Sequence, residues 1–92
     1  AEIEGVLYGM DAIREVSVIG IPHDTWGETG CAIVAPKDGV EITLESIVAH
    51  CEGQLAKFKQ PTKLIMIDAL PRNATGKVLK YQLREKFSKA DA

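Results

Sequence analysis

Aromatic side chains are scarce in this sequence, with one Trp, two Tyr and two Phe in 92 residues. That scarcity argues against a nucleic-acid partner held on a stacking platform, which needs ring after ring along a groove. Cysteine is scarcer still. Cys31 and Cys51 are too few and too far apart for a zinc cluster or a disulfide framework. Each lies in an apolar pattern, where a thiol behaves as a small hydrophobe, and the pair fits a reducing, cytoplasmic compartment. The two histidines, His23 and His50, lack neighbouring ligands, so no metal site is expected. No apolar run approaches the ~20 residues that cross a bilayer, and the first residues do not read as a secretory signal. Internal repeats and low-complexity tracts are absent.

What remains is the make-up of one small globular domain, 46% hydrophobic and 26% charged. The net charge of −2 conceals a split. Residues 1–56 carry ten acids and two bases, whereas residues 57–92 carry three acids and nine bases. A basic second part is expected either to meet an anion or to form a solvated lysine face.

Hydrophobic spacing supplies the elements. Ile3, Val6, Leu7 and Met10 fall on one helical face, with Gly9 weakening its end. Val16 to Ile21 is β-branched and reads as a strand buried on both faces, stopped by Pro22. Residues 23–29 then read as a surface loop containing Trp26, and Cys31 to Ala35 as a second strand. After the Asp38-Gly39 turn signal, a helix is expected from Leu44 to Phe58, with Thr43 as N-cap and Glu45 in its first turn. Leu64 to Ile67 forms a third strand. A last helix is expected from Val78 to Phe87, anchored by Leu79, Leu83 and Phe87. The order α-β-β-α-β-α describes an α+β domain, a small, mainly antiparallel three-stranded sheet covered by helices.

The chemically informative segment runs from Leu70 to Lys80, Leu-Pro-Arg-Asn-Ala-Thr-Gly-Lys-Val-Leu-Lys. Gly76 permits an unusual backbone conformation or the close approach of a ligand. Lys77 is expected at the start of the last helix, where a cation opposes the dipole by about 0.3–1 kcal/mol, a cost a solvated lysine could tolerate. A nucleotide P-loop is excluded. Its first glycine would fall on Pro71, and Val78 stands where a metal-binding hydroxyl is required. Lys57-Phe58-Lys59 sets two ammoniums around a ring and could hold a phosphate or adenine, or could equally be a solvated helix end.

Four stretches in order resemble the C-terminal domain of the adenylate-forming superfamily, which comprises acyl-CoA synthetases, luciferases and the adenylation domains of peptide synthetases. Ala1-Glu2-Ile3-Glu4 is similar to the end of that family's Pro-x-Glu-Val-Glu element. Val16 to Glu28 resembles its strand and Gly-Glu loop, and Lys57 to Pro61 its Lys-Phe-Lys-x-Pro segment. Leu70 to Lys77 resembles its final core motif. The Trp-Gly-Glu loop and the basic 57–59 segment favour the AMP-forming acyl-CoA synthetase branch.

The resemblance implies that residues 1–92 form a C-terminal lid, and that Lys77 is the adenylation lysine that acts when a carboxylic acid attacks ATP. Gly76 would lie close to the nucleotide, and Lys57, Phe58 and Lys59 would face CoA. It further implies a large N-terminal domain as partner, holding ATP, Mg2+ and the acyl pocket, and a rotation of the lid between adenylation and thioester formation. Ala1 is accordingly expected to be a fragment boundary, and the 92-residue chain alone to be inactive. Two rival readings are an adenylation domain that loads a carrier protein and a non-catalytic interaction module of the same fold.

Overall fold

The computed structural model describes residues 2–23, 27–56 and 59–87, with only the backbone of Glu2 and His23. Six elements follow in the expected order: α1 (Glu2–Leu7), β1 (Ile13–His23), β2 (Gly27–Pro36), α2 (Leu44–Cys51), β3 (Lys63–Met66) and α3 (Lys80–Phe87). The sheet order is β1-β2-β3. Its long ladder is antiparallel, from Ile13 opposite Pro36 to His23 opposite Gly27. Its short ladder, β2 with β3, is parallel, so the sheet is mixed.

The sheet is apolar on both sides, as the unbroken β-branched runs require. Val16, Ala32 and Val34 face a core shared with Leu7 of α1 and with Ile47 and Cys51 of α2. Ile19, Ile21, Cys31 and Ile33 face a second core closed by Leu70 and by Leu83 of α3. Full burial of a side chain of this size contributes about 1.5–3 kcal/mol, and Leu83, only 2% exposed, is what seats α3 on the sheet. Cys31 and Cys51 are buried and form no disulfide, in line with their reading as apolar thiols. Burial, and then the neighbouring Glu52 charge, push the Cys51 thiol above its ordinary pKa.

Several boundaries differ from the sequence expectation, each for a local reason. Pro22 does not stop β1. The strand lies at the edge of the sheet, where a missing N–H can face outward without breaking a ladder bond. The supposed loop 23–29 contracts to residues 24–26, because the ladder continues to His23 and Gly27; Trp26 lies outside the described residues. Helix α2 ends at Cys51 instead of Phe58. Glu52 leaves the helical region and Gly53 takes a φ of +80°, which reverses the chain and returns Leu55 to the core. Helix α1 stops at Leu7, after which Tyr8 to Asp11 turn into β1.

Side chains of α1 and of the turn after it also reach the outer side of β1. The Tyr8 hydroxyl both accepts from the Val16 N–H and donates to the Val16 carbonyl, each at 3.3 Å. Glu4 accepts from the Val18 N–H at 2.8 Å. His50 of α2 meets the Val6 carbonyl at 2.7 Å through Nε2. Because a carbonyl only accepts, that nitrogen carries the proton, and His50 is a helix-to-helix tie.

Candidate functional site

Lys77 lies in a closed loop between β3 and α3. Its expected place at the first turn of the last helix is not observed. Val78 instead bridges to Arg72, and α3 begins at Lys80. Lys77 therefore escapes the unfavourable end of the helix dipole. The loop belongs to no sheet or helix and is organised largely by its own side chains. Asn73 is central: its Oδ1 accepts from the Thr75 N–H at 3.0 Å, the Thr75 hydroxyl at 2.7 Å and the Lys77 N–H at 3.0 Å. Its backbone closes the ring, with Asn73 N–H donating to the Lys77 carbonyl and Gly76 N–H to the Asn73 carbonyl, both at 3.0 Å.

Gly76 has a φ of +87°, and a Cβ there would meet nothing within 4 Å. The glycine is thus required by backbone conformation and not by crowding within the domain. Just before the loop, the Arg72 guanidinium reaches the Gly76 carbonyl at 2.6 Å and Glu15 of β1 at 3.1 Å. Just after it, Lys80 pairs with Glu4 at 2.7 Å. Burial opposes ionisation of Glu4, but hydrogen bonds from Lys80 and the Val18 N–H, with the Lys80 charge, leave its pKa below the ordinary value. Partly exposed pairs of this sort contribute about 0–1 kcal/mol each. Their effect is local placement more than global stability.

Three cations therefore crowd this segment, and two are neutralised by acids from α1 and β1. The Lys77 ammonium is exposed and, among the described residues, takes no hydrogen bond or ion pair. It borders a shallow, open depression that Val78, Tyr81 and Arg84 also line. Such an arrangement presents a point charge of fixed origin to whatever anion is brought against it.

The other candidates stand elsewhere. Lys57 and Phe58 lie outside the described residues. Lys59 is exposed and precedes β3 in the chain, whereas Lys77 follows it, so the two candidate groups stand on separate segments. Among the described residues no group of three His, Cys, Asp or Glu side chains is placed to hold a metal ion. No described helix is long and apolar enough to cross a membrane.

Sequence reasoning missed Arg72, Asn73, Glu15, Glu4 and Lys80. The Asn-x-Thr-Gly pattern could have identified Asn73, since Asn side chains fold back on backbone amides two residues on. Nothing local pairs Arg72 with a residue 57 positions away.

Comparison with known proteins is consistent across sequence and structure. The family described as the AMP-binding enzyme C-terminal domain matches residues 2–77. A long-chain-fatty-acid–CoA ligase of Mycobacterium tuberculosis is 48% identical over 96% of this chain and 17% of its own length. A 2-succinylbenzoate–CoA ligase of Geobacillus is 44% identical over 92% of this chain, again 17% of its own. Among solved structures, apo MatB from Rhodopseudomonas palustris aligns with a TM-score of 0.91 at 42% identity, covering 99% of this chain and 18% of that one. A fatty acyl CoA synthetase of Mycobacterium tuberculosis aligns at 0.86 and 45%, covering 97% and 18%. The chain thus spans about a sixth of the length of the relatives it matches. On the sequence match, the shared topology and the intact Leu70–Lys77 segment together, this chain belongs to the family of AMP-binding enzyme C-terminal domains.

Proposed function

We propose that this domain is the mobile lid of an AMP-forming acid–CoA ligase and that Lys77 serves its adenylation step. The observation that carries the reading is a Lys77 ammonium that has no partner among the described residues, on a loop fixed by Asn73 and Arg72. In adenylation, a carboxylate oxygen forms a bond to the α-phosphorus of ATP while the bond from that phosphorus to pyrophosphate breaks. Negative charge grows on oxygens between the acyl group and the phosphate. A preorganised cation there lowers the barrier, typically by about 3–4 kcal/mol, or 10²–10³ in rate. A lysine already committed to a carboxylate would first have to break that pair, so its unpaired state favours the role.

In the second step the sulfur of CoA attacks the acyl carbon and AMP leaves. Lys57, Phe58 and Lys59 are suited to the CoA side, being two cations around a ring. Because Lys59 and Lys77 belong to separate segments, one before and one after β3, one rotation of the lid could withdraw one group as it presents the other. ATP, the acid and much of CoA would be held by the N-terminal domain. Relatives 39–48% identical are named for acids as unlike as a long-chain fatty acid, 2-succinylbenzoate and ferulate. Their common chemistry, a carboxylic acid joined to CoA, is what this domain would serve, and choice of acid would fall to another domain. CoA is favoured over a carrier protein as acceptor because these relatives are named as CoA ligases.

The test separates the half-reactions. In the full-length ligase, Lys77→Ala should slow adenylate formation by about 10² or more. Thioester formation from preformed acyl-adenylate should be unchanged. Equal losses in both steps would mean a structural role, and no loss in either would return Lys77 to the solvated surface.

A further inference from the structure

We propose that Arg72 is a positioning residue for Lys77, held in place by Glu15; this rests on the reading of Lys77 as the adenylation cation. The peptide unit joining Gly76 to Lys77 is gripped at both polar atoms by side chains. Its carbonyl accepts from Arg72 Nη1 at 2.6 Å. Its N–H donates to Asn73 Oδ1 at 3.0 Å. The tilt of that peptide plane sets the direction in which the Lys77 side chain leaves the backbone. Packing does not set it, since Gly76 has open space where a Cβ would stand and lies at a φ of +87°. The orientation therefore depends on hydrogen bonds.

Asn73 is itself part of the loop, so its bond gives the peptide no tie outside it. Among the described residues Arg72 is what ties the Gly76–Lys77 peptide to the sheet, because its Nη2 is anchored on Glu15 Oε1 at 3.1 Å. Glu15 belongs to β1, and its carboxylate also accepts from the Leu70 N–H and from Arg14, each at 3.4 Å. The line of contact runs from strand to carboxylate, guanidinium, carbonyl and Lys77. A planar fork can serve carboxylate and carbonyl together, whereas a lysine ammonium on a flexible stem lacks that fixed geometry. The pairing also occupies the positive charge of Arg72, as Glu4 occupies that of Lys80. Lys77 then presents the segment's one uncommitted charge among the described residues.

The variant that tests this is Arg72→Lys in the full-length ligase, which keeps the charge and loses the fork. Misplacing a reacting group by about 1 Å can cost up to about 10²-fold. Adenylate formation should therefore fall about tenfold or more, in kcat, with KM for ATP and acid within about twofold. The thioester step from preformed acyl-adenylate should be unchanged, and the melting temperature nearly so, because Arg72 is exposed. Glu15→Gln, which keeps the shape and removes the anchor charge, should lower the same step in the same direction. Wild-type adenylation by Arg72→Lys would overturn the proposal, as would equal loss in both steps. Lys77→Ala is measured alongside. If Lys77→Ala also leaves adenylation intact, the reading of Lys77 fails and this proposal falls with it; if only Lys77→Ala is slow, the role of Arg72 alone is refuted.

Discussion

Glu4 illustrates how a single carboxylate is balanced in this domain. Its burial favours the protonated acid, yet Lys80 and the Val18 N–H together favour the anion more strongly and hold its pKa below the ordinary carboxylate value. A pKa depressed by folding adds stability that is fully present above the unfolded value and is lost as pH falls through the folded one. The melting-temperature gap between wild type and Glu4→Gln should accordingly be constant from neutral pH down to about 5, then narrow in more acidic solution. A gap that persisted unchanged at pH 3 would show that the charge of Glu4 does not matter. Residues differ in how far a single sequence discloses them. The unusual backbone conformation of Gly76 was legible because it sits in one short motif whose backbone needs are local. Glu4 with Lys80 and Glu15 with Arg72 were not, since each pair joins distant segments and is created only by the fold.

Helix α2 shows the same division between local and distant causes. Thr43 was legible as its N-cap, and the structure adds a reciprocal bond: Ser46 N–H donates to Thr43 Oγ1 at 3.1 Å, and Thr43 N–H donates to Ser46 Oγ at 3.2 Å. Thr43→Ala should destabilise the fold by about 0.5–2 kcal/mol. Urea denaturation should register this as a lower midpoint with an unchanged slope. The far end of the helix was misjudged, because Leu55 continues the apolar spacing although the chain has already turned at Gly53. Periodicity reports which residues reach the core, and here it reported Leu55 correctly while saying nothing of the route. The start of α3 failed for a related reason. Leu79 keeps the helical spacing of four with Leu83 and Phe87, but its N–H donates to the Pro71 carbonyl and its neighbour Val78 is held in a bridge to Arg72.

The domain as a whole is a body of 37 × 28 × 22 Å that carries Lys77 on its outside beside an open depression. Such a surface can supply a charge to a reaction, but it does not enclose a nucleotide, an acid and CoA. The 92-residue chain should therefore give no ATP–pyrophosphate exchange above background with any carboxylic acid, in preparations free of contaminating ligase. Exchange above that level would refute its assignment as a lid that needs a second domain. One further property of the molecule follows from α1. An outer strand ordinarily offers its unused amides and carbonyls to strands of other molecules, the route to edge-to-edge aggregation. Here the outward groups of Val16 are taken by the Tyr8 hydroxyl, the Val18 amide by Glu4, and Pro22 has no N–H to offer. Glu4 of the helix and Tyr8 of the turn after it stand in for a fourth strand, and an approaching chain finds the template at Val16 and Val18 already read.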